Sequence, residues 1–179
     1  MAAASPTPVP LPELRTRLRE GKAALITHFR ASRATATGAR ALMNGLARHV
    51  DGVLSQLWAQ SGLPATAALL AVGGYGRGEL YPYSDVDVLV LLAEPETEPV
   101  REAVGAFITA CWDVGLEIGS SVRTVEDCVR EAQADVTVQT ALLESRLLTG
   151  PRKLYQALDR KSTRLNSSHS QQSRMPSSA

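Results

Sequence analysis

Apolar positions along the chain switch between a helical period and an alternating or continuous pattern, and the switches predict the elements. From Glu13 to about Arg30, Leu14, Leu18, Leu25, Ile26 and Phe29 fall at near-helical spacing, with arginines on the polar positions. A second helix is expected from about Thr37 to Gln60, with Leu42, Leu46, Val50, Val53, Leu54, Leu57 and Trp58 on its apolar face. Ser61-Gly62-Leu63-Pro64 breaks it. Two runs, Thr66–Val72 and Val86–Leu92, are apolar almost throughout, as strands covered on both faces are. A turn or short helix is expected between them over Glu79–Ser84. An acidic loop leads into a helix over Val100–Val114. Next comes a strand over Leu116–Arg123, on which Glu117, Gly119, Ser121 and Arg123 share one face and Ser120 lies on the other. Thr124-Val125-Glu126-Asp127 has the form of a helix cap. Helices are expected over 125–133 and 135–148, and another begins at Arg152 after Gly150-Pro151.

This order predicts an α/β (α+β) chain, a small sheet packed with helices behind an N-terminal helical segment. The expected boundaries are a disordered Ala/Pro-rich arm over 1–12, helices over 13–62 and the sheet domain over 63–160. Residues 161–179 are serine-rich, hold no acid and lack apolar periodicity. They read as a disordered, non-native tail, translated linker sequence joined to a shortened reading frame. The formal net charge of +1 supplies no basic signature for nucleic acid. It also conceals an acidic body, because Lys161, Arg164 and Arg174 are three of the 19 basic residues and none of the 18 acids lies beyond 160. No apolar run approaches the ~20 residues of a membrane span, and the N-terminus lacks the basic and apolar regions of a signal peptide. Cys111 and Cys128 form no CxxC pair and read as small buried hydrophobes. Together these features suggest a reduced, cytoplasmic protein.

The chemistry concentrates in Leu69–Leu92, LLAVGGYGRGELYPYSDVDVLVLL. Gly73, Gly74, Gly76 and Gly78 build a turn, and Ser84-Asp85-Val86-Asp87 opens the second strand. Period-2 geometry points Asp85 and Asp87 the same way. At ~6 Å and an effective dielectric of ~20 two carboxylates repel by roughly 3 kcal/mol, which a cation relieves. A glycine turn beside them can cradle phosphate with its backbone N–H groups. Metal and phosphate together indicate nucleotide chemistry. Tyr75 and Tyr81 are expected to pack within the fold instead of stacking on a base.

The arrangement Gly73-Gly74, ten residues, Asp85-Val86-Asp87 resembles the signature of the DNA polymerase beta-like nucleotidyltransferase superfamily. The longer string GGYGRGELYPYSDVD, with LEIGSSVRT at 116–124 and TALLESRLLTG at 140–150, is similar to the bacterial protein-PII uridylyltransferase/uridylyl-removing family over roughly residues 11–160. That resemblance implies that Asp85, Asp87 and Glu117 are catalytic and hold Mg²⁺. It also implies that Gly73, Gly74, Arg77 and Ser84 bind the nucleotide, and that UMP passes from UTP to a tyrosine of the PII signalling protein. It implies no nucleic-acid or membrane partner. Ser120 departs from the family pattern, standing where a histidine is usual. The hydrolase and ligand-sensing domains of the family have no counterpart in the sequence, so the chain reads as a truncated member. Two other readings stay open: a nucleotidyltransferase acting on a small molecule, and a non-catalytic, antitoxin-like module of the same fold.

Overall fold

Four strands in the order β3-β2-β1-β4 carry the functional loops. In the computed structural model, which describes residues 8–32 and 35–172, the elements are α1 (Leu11–Ala31), α2 (Ala36–Gln60), β1 (Ala68–Ala71), α3 (Gly73–Gly76), β2 (Val86–Leu92), α4 (Glu98–Asp113), β3 (Ile118–Thr124), α5 (Val125–Ala134), α6 (Val136–Leu143), β4 (Arg146–Thr149) and α7 (Arg152–Gln172). β1 pairs antiparallel with β2, Leu70 facing Leu89, and antiparallel with β4 on its other edge, Leu70 facing Leu147. The Val86 N–H donates to the Glu117 carbonyl at 2.9 Å, which sets the starts of β2 and β3 side by side and makes the sheet mixed. The predicted fold class holds.

The chain resolves into two compact units. One comprises residues up to Leu63 with 78–86 and 98–119; the other comprises 64–77, 87–97 and 120 onward. In the first, α1 packs on α2 and α4. Leu14 and Leu18 meet a buried stripe of Leu46, Val50, Val53, Leu54 and Leu57, and Trp58 meets Phe107 edge to face with centroids 5.4 Å apart. Gly21 permits the closest approach of α1 and α2, since a Cβ there would lie 2.2 Å from the His49 ring. That ring bonds the Arg17 carbonyl at 3.1 Å. Arg15, exposed on α1, donates its Nε to the Asp113 carbonyl at 2.6 Å and so closes the end of α4.

The second unit buries one face of the sheet. Ala68, Leu70, Leu89 and Leu91 pack with Val125, Cys128, Ala132, Leu142 and Leu158 from the three following helices. Cys111 and Cys128 are free and buried, as expected, and burial pushes each thiol up to about 12. The Thr124 cap is a full capping box: Asp127 N–H donates to Thr124 Oγ1 at 3.1 Å, and Thr124 N–H donates back to Asp127 Oδ2 at 3.2 Å.

Three expectations need correction. The helix expected over 135–148 stops at Leu143, and Arg146–Thr149 is a strand. Without it β1 would present a row of unpaired backbone groups along a buried edge, a cost that outweighs the helical preference of a short apolar run. Gly150, at φ +107, makes the exit, and a Cβ there would lie 2.6 Å from the Ala67 carbonyl oxygen. Over 79–84 the expected turn falls at Pro82-Tyr83, and a further helical turn lies on the glycines themselves as α3. Of the arm over 1–12, residues 1–7 lie outside the described residues. Leu11 and Pro12 already belong to α1, where proline suits the first turn.

The third correction concerns the tail, of which residues 173–179 lie outside the described residues. α7 runs through Gln172, Ser162 is buried, Lys161 Nζ reaches Glu126 Oε1 at 2.6 Å, and Leu165 packs on the core cluster. Position along a helix decided this, because Leu154, Leu158, Ser162 and Leu165 fall on one face. Deleting 161–179 is therefore expected to lower the melting temperature by several degrees, since ~1 kcal/mol corresponds to about 2–8 °C in a domain of this size. A calorimetric scan of the shortened chain checks it.

The capping box gives a pH prediction. Hydrogen bonds from Thr124 and then Arg130 lower the Asp127 carboxyl to about 2 from an ordinary 3.8. A depressed carboxyl adds stability that is fully present above its unfolded value and lost as pH falls through the folded one. Asp127→Asn should therefore flatten the part of the acid-unfolding curve lying between pH 4 and pH 2, and leave the curve near neutrality parallel to that of the parent.

Candidate active site

The glycine turn is fixed from below by backbone bonds. Val72, leaving β1, donates its N–H to the Asp87 carbonyl at 3.1 Å, tying the turn to the second residue of β2. Gly73 then takes φ +57, a conformation open to glycine, and the space where its Cβ would stand is empty. One helical turn closes with Gly76 N–H on the Val72 carbonyl at 3.0 Å and Arg77 N–H on that of Gly73 at 3.1 Å. Gly76 is required for a different reason: a Cβ would lie 2.0 Å from the Glu144 carbonyl oxygen.

Two residues that sequence reasoning missed hold this turn in place. Arg146 of β4 donates to the carbonyls of Gly76 and Tyr75 at 3.3 and 3.4 Å, and its guanidinium lies 5.6 Å from the centre of the buried Tyr75 ring. Glu144, at the end of α6, pairs with Arg77 at 2.5 Å. Both positions fall where a continuous helix was expected, so their roles depended on the strand that was not foreseen. Tyr75 packs as predicted. Tyr81 does not: it is 62% exposed.

The predicted carboxylates are all solvent-accessible. Asp85 immediately precedes β2, and Asp87 is the one exposed residue of that strand. Glu117 comes just ahead of β3, not within it. α4 ends in Gly115 at φ +90, Leu116 is buried, and Glu117 is left exposed with its carbonyl bound to Val86. Ser84 donates its hydroxyl to the Tyr81 carbonyl at 3.3 Å and keeps its lone pairs. Ser84 and Glu117 line one cleft of about 150 Å³, together with Lys22 of α1. Among the described residues no three His, Cys, Asp or Glu side chains converge as a ready-made metal site.

Residues 52–143 match the family described as "Nucleotidyltransferase domain". The chain belongs to the nucleotidyltransferase domain family. Its glycine turn, its Asp85-Val86-Asp87 segment and Glu117 all fall inside the matched region of that domain. A bifunctional uridylyltransferase/uridylyl-removing enzyme of Cupriavidus pinatubonensis is 58% identical over 146 residues, 81% of this chain and 16% of the relative. One of Burkholderia thailandensis is 48% identical over 156 residues, 87% of this chain and 18% of the relative. The nucleotidyltransferase domain described here thus spans less than a fifth of the length of these curated relatives. No helix among the described residues is long and apolar enough to cross a membrane.

The geometry of the turn makes a direct prediction. Gly76→Ala must displace the Glu144 carbonyl, and with it the Arg77 pair. An overpacking cost of ~1–3 kcal/mol is expected, read as a fall in the denaturant midpoint. Gly105→Ala, where a Cβ meets open space inside α4, serves as the control and should hold or raise the midpoint, since alanine favours a helix interior over glycine by about 1 kcal/mol.

Proposed function

We propose that this nucleotidyltransferase domain transfers UMP from UTP to a tyrosine of the PII signalling protein, releasing pyrophosphate, in the cytoplasm. The observation that carries the reading is 58% identity, over 81% of the chain, to a protein named for uridylyl transfer. In the reaction the tyrosine oxygen bonds to the α-phosphorus, the bond from that phosphorus to the bridging oxygen breaks, and pyrophosphate takes the electron pair. The phenolic proton passes to water or to an exposed carboxylate.

The residues proposed to hold Mg²⁺ are Asp85, Asp87 and Glu117. Their donor set suits that ion: oxygen only, anionic and open to water. Mg²⁺ usually keeps several waters and binds through one or two carboxylates plus substrate phosphates, so a closed protein cage is not a requirement. When bound, the metal neutralises phosphate charge and orients the groups that react. The chain's own part is positioning. The empty space over Gly73 lets a phosphate come close to the backbone, with Gly74 beside it in the same turn. Ser84 offers its lone pairs or, by releasing Tyr81, its proton. Arg77 holds Glu144 through one guanidinium nitrogen, and this reading gives it a phosphate as a second anionic partner.

Isothermal titration tests the site. UTP should bind in Mg²⁺ and much less in EDTA, and Asp87→Asn should weaken Mg²⁺-dependent binding roughly ten- to a hundredfold with the circular dichroism unchanged, the range expected for losing a charged partner. Equal affinity of parent and variant in Mg²⁺ would sink the assignment. Transfer of labelled UMP to PII, against a PII whose acceptor tyrosine is phenylalanine, tests the acceptor separately.

A further inference from the structure

A cavity of about 170 Å³ opens on the face of the sheet that carries Asp87. Leu89, two residues along β2 on the same side, and Val72, whose N–H is bound to the Asp87 carbonyl, both line it. Val138, Ala141 and Leu142 of α6 complete the apolar lining. Its polar lining comes from Ser121 and Arg123 of β3 and from Asp135 and Thr137 at the start of α6. The cavity thus joins apolar side chains of β2 and α6 to polar ones of β3 and the start of α6, and its volume admits a single ring.

Resting on the uridylyl-transfer reading above, we propose that this cavity receives the base of the nucleotide and selects uracil through Asp135. The imide edge of uracil presents a carbonyl, an N–H and a second carbonyl. Asp135 is an acceptor, matching the N–H; it already takes the Thr137 N–H at 2.7 Å and has further lone pairs to offer. Arg123, held by Glu131 at 2.5 Å, has other guanidinium donors to offer a carbonyl. Cytosine carries a lone pair in place of that N–H and would meet the carboxylate with like polarity, so the same edge rejects it. Hydrogen bonds from Thr137 lower the Asp135 carboxyl below its ordinary value, which keeps it an acceptor at neutral pH.

Asp135→Asn preserves the N-cap of α6, since asparagine caps as well as aspartate, and exchanges an acceptor for an amide that can also donate. In Mg²⁺, the parent should bind UTP more tightly than CTP. The variant should lose about tenfold of that preference, about 1.4 kcal/mol, while its affinity for inorganic triphosphate stays the same. Ala141→Leu, which fills the cavity from α6, should abolish the gain of UTP over triphosphate. An unchanged UTP-to-CTP ratio in Asp135→Asn, or full UTP affinity in Ala141→Leu, would overturn the base assignment alone. So would an effect of these variants confined to the KM of the acceptor protein. A parent chain that binds neither UTP nor triphosphate in Mg²⁺ would overturn the functional reading, and this one with it.

Discussion

The second unit depends on β1, four residues hydrogen-bonded along both edges. Ala68, Leu69, Leu70 and Ala71 are all buried, and each backbone group that faced an unpaired edge would be costly to leave there. Pairing with β2 sets where the strand delivers the chain into the glycine turn, and the next bond, Val72 to Asp87, ties the exit of one strand to the entrance of the other. Pairing with β4 brings Arg146 to the carbonyls of the same turn. A slip of one residue in either register would turn the side chains of a strand to the opposite face. The position of the glycine turn relative to Asp87 follows from this one short strand.

Much of this was legible in the sequence because it is local. Val86–Leu92 reads as a strand from its composition alone, and its bounds agree with the structure. The Thr124 cap shows in four consecutive residues, and α1 and α2 in their apolar spacing. What was missed depends on contacts distant in sequence. β4 is an apolar run too short to be told from a helix until β1 needs an edge partner. The extension of α7 escaped notice because serine is read as a loop former, whereas Ser162 faces the core and bonds the Asp159 carbonyl one turn back.

The site divides in the same way. Spacing alone marked Asp85 and Asp87, but no local signal could show that Arg77 meets a glutamate 67 residues later. Gly76 looked like one more turn glycine, and its true constraint is the close passage of the α6 terminus. The meeting of Arg123, Asp135 and Thr137 at one cavity was equally hidden, since they come from a strand and a helix brought together only in the folded chain.

The two outer strands bear on how the molecule behaves in a crowded cell. β3 contributes Gly119, Ser120, Ser121 and Arg123 to one margin of the sheet; β4 is four residues long and is followed at once by Gly150 and Pro151. Polar, charged and very short borders, with a proline that has no N–H to offer, make poor templates for a strand from another molecule. A chain with this much Val and Leu in its central strands would otherwise be prone to stack edge to edge. Its margins keep the sheet finite.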